Sequence, residues 1–343
     1  MNKNILNKKG IEILSLINES ERILLHCHPY PDPDSIGSVL AMTKFLRRLN
    51  KKVYPIIGDS SYPDSLKILP KYEIIQDKNY SDINPKDFDL FIILDSSSKT
   101  QVSQLEKIIF PKSMQTVVID HHITNICYGD INLVLPEYSS TSEIIYDLFK
   151  LWKVNIDKDM AIYLFLGMYW DTGGFKFQNT SSHTLKSAGN LIKINPDFHK
   201  FIFDIENHKT PKEIEYMGLA LSSLKRYLSN NVVMAEVDYE TLKKNNISKE
   251  DTQQEIGSII KSVIGWNIGI NFVEVEKNII VVSFRTRDPE KYDVSKIAKL
   301  IGENGGGHKA AAGTTIYDTF DNAKKDLIKK IKQTYQDLSI IDE

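Results

Sequence analysis

Cysteine is rare in this sequence, which contains only Cys27 and Cys127 among 343 residues. The two do not form a CxxC pair, and so few thiols exclude a disulfide framework. Unpaired cysteines are typical of proteins in a reducing compartment. We therefore expect a cytoplasmic protein.

Long apolar runs and an excess of positive charge are also missing. No stretch reaches 18 uncharged apolar residues, and polar side chains interrupt residues 1–25 every few positions. This pattern predicts neither a membrane span nor a secretory signal. The formal net charge is -2. Without a general basic field the chain is not expected to bind long duplex DNA, and any polyanion must be bound by a local patch or a metal.

The composition is that of an ordinary globular protein, with 41% hydrophobic and 26% charged residues. A chain of 343 residues is longer than one hydrophobic core usually serves, so we expect two domains. The predicted boundaries are a first domain at 1–185, a helical linker at 186–228 and a second domain at 229–343.

The first domain has the pattern of an α/β fold, in which buried strands alternate with amphipathic helices. Such a pattern predicts a parallel sheet that is covered on both faces. The segment 161–170 is apolar all round and could be a strand or a buried helix, and the preceding Asp-Lys-Asp, as a capping region, favours the helix. Consecutive helices are expected from 181 to 230, and after them a second α/β or α+β set that ends in a helix at 322–335. The predicted strands of the first domain are 22–27, 52–57, 88–95 and 114–120, and its other helices are 34–49 and 142–152.

Carboxylates and imidazoles follow three of these predicted strands. In open α/β sheets, ligands bind at the carboxyl ends of the strands, so this is where a site is expected. Each side chain alone has a simpler interpretation: Asp34 or Ser35 could cap the following helix, and a single histidine is often structural. The set comprises His28, Asp32 and Asp34 after the first strand, Asp95 after the third, and Asp120, His121 and His122 after the fourth.

A metal explains this set better than separate structural roles, because clustered carboxylates without a cation would destabilise the fold. Many carboxylates, a few imidazoles and no thiolate favour Mn²⁺ or Mg²⁺ over structural zinc. So many acidic ligands favour two ions rather than one. A shared carboxylate would bridge the two ions and hold them about 3.5–4 Å apart. Strand alternation points Cys27 away from His28, so we interpret Cys27 as a core residue.

Two weaker motifs occur further along the chain. Asp171 precedes Thr-Gly-Gly, which by itself predicts only a turn. A glycine run at 305–307 precedes His308, and glycines allow backbone N–H groups to approach a phosphate. Arg285 and Arg287 follow an apolar strand and could bind an anion, although arginines at strand ends are usually just solvated.

Taken in order, these motifs resemble the DHH phosphoesterase superfamily with its DHH-associated C-terminal domain, over nearly the whole chain. They are most similar to the branch of oligoribonucleases and pAp phosphatases, which includes phosphodiesterases of cyclic di-AMP and pApA. One position departs from the family pattern. The family's Asn-Pro-Asp-Gly-Asp is Tyr-Pro-Asp-Pro-Asp at residues 30–34, so Pro33 replaces a glycine.

The resemblance implies a role for each motif residue. His28 and Asp32 would hold one Mn²⁺, Asp34 and His121 the other, and Asp95 and Asp171 would bridge or complete the pair, with Mg²⁺ or Co²⁺ as substitutes. Asp95, Asp120 and His122 would be catalytic: Asp120 orients the site, and His122 touches the scissile phosphate. The implied substrate-binding residues are His122, Ser140, Thr141, Arg285, Gly305, Gly306, Gly307 and His308.

The implied fold is a parallel-sheet DHH domain and a smaller C-terminal α/β domain, with the active site in the cleft between them. The implied activity is manganese-dependent hydrolysis of short oligoribonucleotides (nanoRNA, pApA) to mononucleotides. Hydrolysis of pAp to AMP, or of cyclic di-AMP, is a further implied activity. The resemblance also allows a homodimer. Two alternatives stay open: hydrolysis of pyrophosphate, polyphosphate or single-stranded DNA, and a non-catalytic nucleic-acid-binding protein. The second is disfavoured because no expected ligand is missing.

Overall fold

The chain folds into two compact units, Met1–His208 and Lys209–Glu343. The computed structural model describes residues 3–105, 107–252, 256–302 and 305–339. The boundary between the units lies inside the segment predicted as a helical linker. Within the described residues, no helix is long and apolar enough to cross a membrane.

The first unit is built on a five-stranded sheet whose strands are all parallel, in the order β2-β1-β3-β4-β5. This confirms the predicted parallel α/β architecture. The fifth strand was not predicted, because its sequence Ile-Asn-Leu-Val is short and mostly half-buried. The strands are β1 (Arg22–His26), β2 (Lys52–Ile56), β3 (Leu90–Leu94), β4 (Gln115–Asp120) and β5 (Ile131–Val134).

Six helices belong to the first unit, and their apolar side chains share one core with one face of the sheet. Alternate strand residues such as Leu25 and Ile92 lie in that core, whereas Leu24 and Ile93 pack on the opposite face. The helices are α1 (Lys3–Glu19), α2 (Pro33–Arg48), α3 (Thr141–Leu151), α4 (Lys158–Asp171), α5 (Ser182–Ile194) and α6 (Phe198–Glu206).

The opposite face of the sheet is also covered, but by irregular segments rather than by α-helices. It is covered by loops and short 3-10 turns, whose buried residues include Tyr80 and Val102. Prolines at 63, 70, 85 and 111 interrupt the connections after β2 and β3. Proline lacks an amide donor and clashes with the preceding turn, so these segments do not continue into α-helices.

The start of α2 also differs from the expectation that Asp34 or Ser35 caps it. Asp32 is the N-cap, and its Oδ1 accepts hydrogen bonds from the backbone N–H groups of Asp34 (2.9 Å) and Ser35 (3.0 Å). Pro33 occupies the first helical position, where its fixed φ favours the helix and its missing N–H costs nothing. The helix therefore begins one residue before the segment predicted from apolar periodicity.

The second unit contains a six-stranded mixed sheet in the order β10-β11-β9-β8-β7-β6, in which only the β7–β8 pair is parallel. Separate apolar cores cover its two faces. Its strands are β6 (Leu224–Tyr227), β7 (Val232–Val237), β8 (Ile268–Glu276), β9 (Ile279–Thr286), β10 (Gly306–His308) and β11 (Ala311–Tyr317). Its helices are α7 (Pro211–Ser222), α8 (Tyr239–Lys244), α9 (Ile256–Lys261), α10 (Val294–Ile301) and α11 (Phe320–Thr334).

Two segments of the second unit were predicted differently. Residues 224–227 were expected to be helical but form the edge strand β6, which pairs with β7. The glycine run was expected to be a loop, but residues 306–308 form β10 and pair with β11. In both cases the partner strand decides the conformation, because short segments carry too little periodicity of their own.

Candidate metal centre

The carboxyl ends of β1, β3 and β4 bring the predicted ligands together, because these strands are neighbours in the sheet. Within the described residues, three groups of side chains could each hold a metal ion. Inside each group, the ligand atoms lie within 4.8 Å of one another. The groups share members and so form one cluster. They are Asp95 with Asp120, His121 and His122; His28 with Asp32 and Asp95; and Asp34 with His121 and Asp171.

Asp95 links the histidines of this cluster. Its Oδ2 lies 3.4 Å from His28 Nε2, and its Oδ1 lies 3.5 Å from His121 Nε2 and 3.7 Å from His122 Nδ1. The residue is 3% exposed, and its φ of 53° is in the left-handed region. Aspartate is among the few residues that tolerate this conformation, which here turns the chain sharply at the end of β3.

The orientation of His28 follows from its own backbone neighbour. His28 Nδ1 lies 2.9 Å from the carbonyl oxygen of Pro29, which accepts a hydrogen bond from the ring. In the neutral ring the lone pair is therefore on Nε2. That atom faces Asp32 Oδ1 at 3.7 Å and Asp95 Oδ2 at 3.4 Å, an arrangement that needs either a proton or a cation.

Asp34 is held by the start of α3. Its Oδ2 accepts a hydrogen bond from the N–H of Thr141 (2.8 Å), and its Oδ1 accepts one from the N–H of Ser142 (2.9 Å). These are first-turn N–H groups, which have no partner within their own helix. The hydroxyl of Thr141 donates to Asp95 Oδ1 at 3.1 Å, so Thr141 contacts two of the predicted ligands. Ser140 instead caps α3, accepting a hydrogen bond from the N–H of Glu143.

Asp171 is the last residue of α4, and its Oδ2 lies 3.1 Å from His121 Nε2. Asn179 fixes the backbone here: its side-chain amide donates to the carbonyl oxygens of Asp171 (3.0 Å) and Ser139 (3.1 Å). Sequence reasoning missed Asn179, and its spacing carries no signal that could have found it. One turn before Asp171, a Cβ on Gly167 would lie 2.5 Å from Asp34 Oδ1, so only glycine fits this helix crossing.

Asp120 is fully buried, and both of its carboxylate oxygens are occupied. Oδ1 accepts hydrogen bonds from the N–H of His121 (2.9 Å) and from His122 Nδ1 (2.7 Å), and Oδ2 accepts one from Asn125 (2.6 Å). These contacts orient the His122 ring and leave its Nε2 available. Asn125, like Asn179, was not identified from the sequence.

The two residues that precede His28 belong to the core. His26 is fully buried with its ring edge against Phe91, and burial lowers its pKa to about 4, so it stays neutral. Cys27 is also fully buried in the helix-facing core, as strand alternation predicted. Burial raises the pKa of its thiol, which favours an uncharged side chain.

The electrostatics of the cluster favour an added positive charge. Burial, together with the charges of Asp95 and Asp171, raises the pKa of Asp34 well above its usual range. Burial likewise raises the pKa of Asp171 to about 6. Burial opposes a charged His121, but its close approach to the Asp171 carboxylate and the charge of Asp95 outweigh burial and raise its pKa to about 10. Without a metal, the cluster therefore binds protons.

The residues present fit divalent metal ions. Nε2 of His121 is buried and, despite its short distance to Asp171, makes no hydrogen bond. The cluster combines carboxylates and imidazoles without a thiolate, which is the donor set of Mn²⁺, Mg²⁺ or Co²⁺ rather than structural zinc. A cation among these atoms would replace the protons that the cluster otherwise attracts.

The remaining predicted site residues lie in the second unit. Backbone pairing aligns Arg285 of β9 with Ala311 of β11, and Ala311 with His308 of β10. Two of the three glycines are required by the backbone: a Cβ on Gly305 would lie 1.9 Å from a carbonyl oxygen of α10, and Gly307 has a φ of +128°. A Cβ on Gly306 would meet no atom within 4 Å, so this glycine is not required by packing.

Comparison with known proteins identifies two conserved domains in the chain. The profile of the DHH family N-terminal domain matches residues 22–168, and that of the DHHA1 domain matches residues 229–337. The bifunctional oligoribonuclease and PAP phosphatase NrnA of Bacillus subtilis is 28% identical over 331 residues, which cover 92% of this chain and 95% of that protein. The protein of the same name from Thermus thermophilus is 29% identical over 296 residues, covering 86% of this chain and 84% of that protein.

A solved structure has the same fold. The crystal structure of an exopolyphosphatase-related protein from Bacteroides fragilis superposes with a TM-score of 0.87, covering 97% of this chain and 98% of that one. The two sequences are 24% identical, so this likeness concerns the fold alone.

Proposed function

This chain belongs to the DHH family of phosphoesterases, and from that premise we propose that it hydrolyses short oligoribonucleotides, including pApA, to mononucleotides and pAp to AMP. The observation that carries the proposal is the cluster centred on Asp95, in which every ligand type needed for a two-metal phosphoesterase is retained. Relatives named as oligoribonucleases and PAP phosphatases align with most of the chain. Together these support nucleotide substrates. The two free cysteines are in keeping with a cytoplasmic location, which is part of the proposal.

The metals of this proposal are two Mn²⁺ ions, with Mg²⁺ or Co²⁺ as substitutes. His28 and Asp32 would hold one ion, Asp34 and His121 the other, and Asp95 and Asp171 would bridge or complete the pair. When bound, such ions supply Lewis acidity, which stabilises charge on phosphoryl oxygens and favours deprotonation of water.

The chain's own groups have separate tasks. His122, held through Nδ1 by Asp120, presents Nε2 to an oxygen of the scissile phosphate and stabilises the charge that develops there. The hydrogen bonds of Thr141 and Ser142 keep the Asp34 carboxylate in one orientation before substrate arrives. Burial of Asp95 and Asp120 keeps water away from their carboxylates, which strengthens each of these interactions.

Substrate recognition is assigned to residues of the DHHA1 domain. Arg285 would bind a terminal phosphate of the nucleotide through its guanidinium, and Gly306 and His308 would lie against the same end. Because short ribonucleotides are the substrates of this proposal, RNAs of about two to five residues should be cleaved much faster than a 24-mer. Ser140 caps α3, so its role in this proposal is to position Thr141.

The decisive experiment is to incubate purified protein and Mn²⁺ with a ribonucleotide 3-mer, pAp, pApA and cyclic di-AMP, and to quantify the release of AMP. We expect release from the first three, while cyclic di-AMP tests whether the site also accepts a closed ring. Pyrophosphate, polyphosphate and single-stranded DNA form the comparison arms. Faster turnover of any of these than of the short ribonucleotides would replace the proposal with the corresponding phosphohydrolase or exonuclease.

A further inference from the structure

Tyr30 lies between two of the proposed metal ligands, two residues after His28 and two before Asp32, and its side chain is 81% exposed. Single exposed apolar side chains are common on protein surfaces and need no explanation by themselves. What distinguishes Tyr30 is the conformation in which the chain presents it.

The backbone of Tyr30 has a φ of 57°, in the left-handed region. Bulky residues rarely adopt this conformation, because Cβ approaches the following carbonyl oxygen. The next residue is Pro31, and a residue before proline normally prefers an extended conformation. The N–H of Tyr30 donates to Ser60 Oγ at 2.9 Å, so a loop from outside the metal stretch holds this conformation in place.

Glycine would meet the same backbone requirement at no steric cost. A bulky aromatic ring at this position therefore serves neither the turn nor the core, since most of the ring is in solvent. Strained residues of this kind concentrate at functional sites. The ring is also attached to the loop that carries two proposed ligands, His28 and Asp32.

We propose that the ring of Tyr30 stacks on a nucleobase of the substrate, next to the phosphate that is cleaved. The inference rests on the proposed function, because a pyrophosphate or polyphosphate has no base to stack. Every nucleobase has a π-face, so an aromatic side chain binds single-stranded RNA without strong sequence preference. Tyr30 would thus select nucleotides over simpler phosphates while accepting any base.

The kinetic test compares kcat/KM for pApA with that for a matched analogue that lacks the base next to the cleaved bond, both with Mn²⁺. Tyr30→Phe keeps the ring and should stay within about twofold of wild type on pApA. Tyr30→Ala and Tyr30→Gly should each lose about tenfold to hundredfold on pApA, the range measured for removing one stacking partner. On the abasic analogue all four proteins should be nearly equal.

Tyr30→Gly separates stacking from folding, because glycine relieves the backbone strain. This variant should be at least as stable as wild type in thermal unfolding and yet lose activity on pApA as Tyr30→Ala does. Phe203→Ala is the matched control: Phe203 is 64% exposed on α6 of the same unit and adjoins no proposed ligand. Its kcat/KM should not change.

A binding measurement without turnover uses Tyr30→Trp with Mg²⁺ and the product AMP. The indole fluorescence gained by this variant should be quenched by AMP and unaffected by ribose 5-phosphate, which carries the same phosphate but no base. Equal quenching by the two compounds, or equal kcat/KM of wild type and Tyr30→Gly on pApA, would overturn the stacking role while leaving the proposed function intact. Absence of nucleotide hydrolysis by the wild-type protein would overturn both.

Discussion

The backbone N–H of Thr141 donates a hydrogen bond to Asp34 Oδ2 at 2.8 Å, which ties a carboxylate at the start of α2 to the first turn of α3. The two residues are 107 positions apart in sequence. Because the N–H groups of a first helical turn have no partner within their own helix, α3 gains a hydrogen-bond acceptor and Asp34 gains a fixed orientation. This contact couples the stability of the first unit to the geometry of the metal cluster.

Gly167→Ala should therefore impair both folding and metal binding. The new Cβ would lie 2.1 Å from Ser142 Oγ and 2.5 Å from Asp34 Oδ1, inside the crossing of α2, α3 and α4. We expect a loss of about 1–3 kcal/mol in the free energy of unfolding, measured by urea denaturation, and weaker Mn²⁺ binding by calorimetry. Gly189→Ala on α5 is the matched control: its Cβ meets nothing within 4 Å and should stabilise the protein by about 0.4–1 kcal/mol. Equal effects of the two changes would contradict this packing argument.

Asp95→Asn should reduce kcat by roughly a thousandfold or more, because a neutral amide cannot bridge two cations. Turnover of pApA, the Mn²⁺ content and the circular dichroism spectrum would be measured together. Asp89→Asn provides the comparison, since Asp89 adjoins the other end of β3 and its carboxylate accepts hydrogen bonds from the backbone N–H groups of Glu21 and Arg22. Near-normal turnover by Asp95→Asn with full metal content would show that Asp95 is not the bridge.

Chelation should abolish activity. After exhaustive treatment with EDTA, hydrolysis of pApA should fall to background and return on addition of Mn²⁺. Because His121 has a pKa raised to about 10, it carries a proton at neutral pH that metal binding must release. Calorimetric titration with Mn²⁺ at pH 7, in two buffers of different ionisation enthalpy, would measure this release. Full activity of the chelated protein would exclude the metal mechanism.

The metal-free protein should lose stability as the pH rises. The pKa of His121 is about 10 in the folded state, against an unfolded value near 6.5, so protonation favours the folded state. The contribution is complete below pH 6.5 and disappears between pH 6.5 and 10. Thermal unfolding in EDTA between pH 7 and 9.5 should show the decline, and His121→Gln should flatten it. A melting temperature that rises over this range would contradict the assignment.

Arg285→Ala should lower kcat/KM for pApA strongly and affect bis-p-nitrophenyl phosphate much less, because the generic ester cannot use a contact remote from its reacting phosphorus. Arg287→Ala is the control, since Arg287 follows two residues later and donates to the carbonyl oxygens of residues 261–263 at the end of α9. Kinetics of both variants on both substrates decide the outcome. An equal loss of kcat/KM on the two esters would mean that Arg285 affects the metal cluster or folding rather than nucleotide binding.

Much of this fold could be predicted because its main elements are long and regular. The buried strands of the first unit and the helices α2 and α3 show clear periodicity, α4 is marked by the capping residues before it, and the α/β order predicts a parallel sheet. The short strands β6 and β10 could not be predicted in this way. Their conformation depends on hydrogen bonds to a neighbouring strand, and three or four residues carry no period that distinguishes strand from helix or loop.

The candidate ligands could be recognised because chemistry restricts the residue types and topology restricts their position. His28, Asp95 and Asp120 follow adjacent strands, and the carboxyl ends of parallel strands meet at one edge of a sheet. The supporting residues Asn125 and Asn179 could not be recognised. An asparagine that donates one amide to two backbone carbonyl oxygens looks in sequence like any other loop asparagine.

The sequence by itself therefore determined which side chains are available to bind metal and the order in which strands deliver them. Only the tertiary structure decided that the Asp34 carboxylate is held by the first turn of α3. It also decided that residue 167 must be glycine and that Tyr30 stands exposed in a left-handed conformation. The reason is physical: residue type and periodicity are local properties of the chain, whereas a hydrogen bond or a steric overlap between distant segments exists only once those segments have packed.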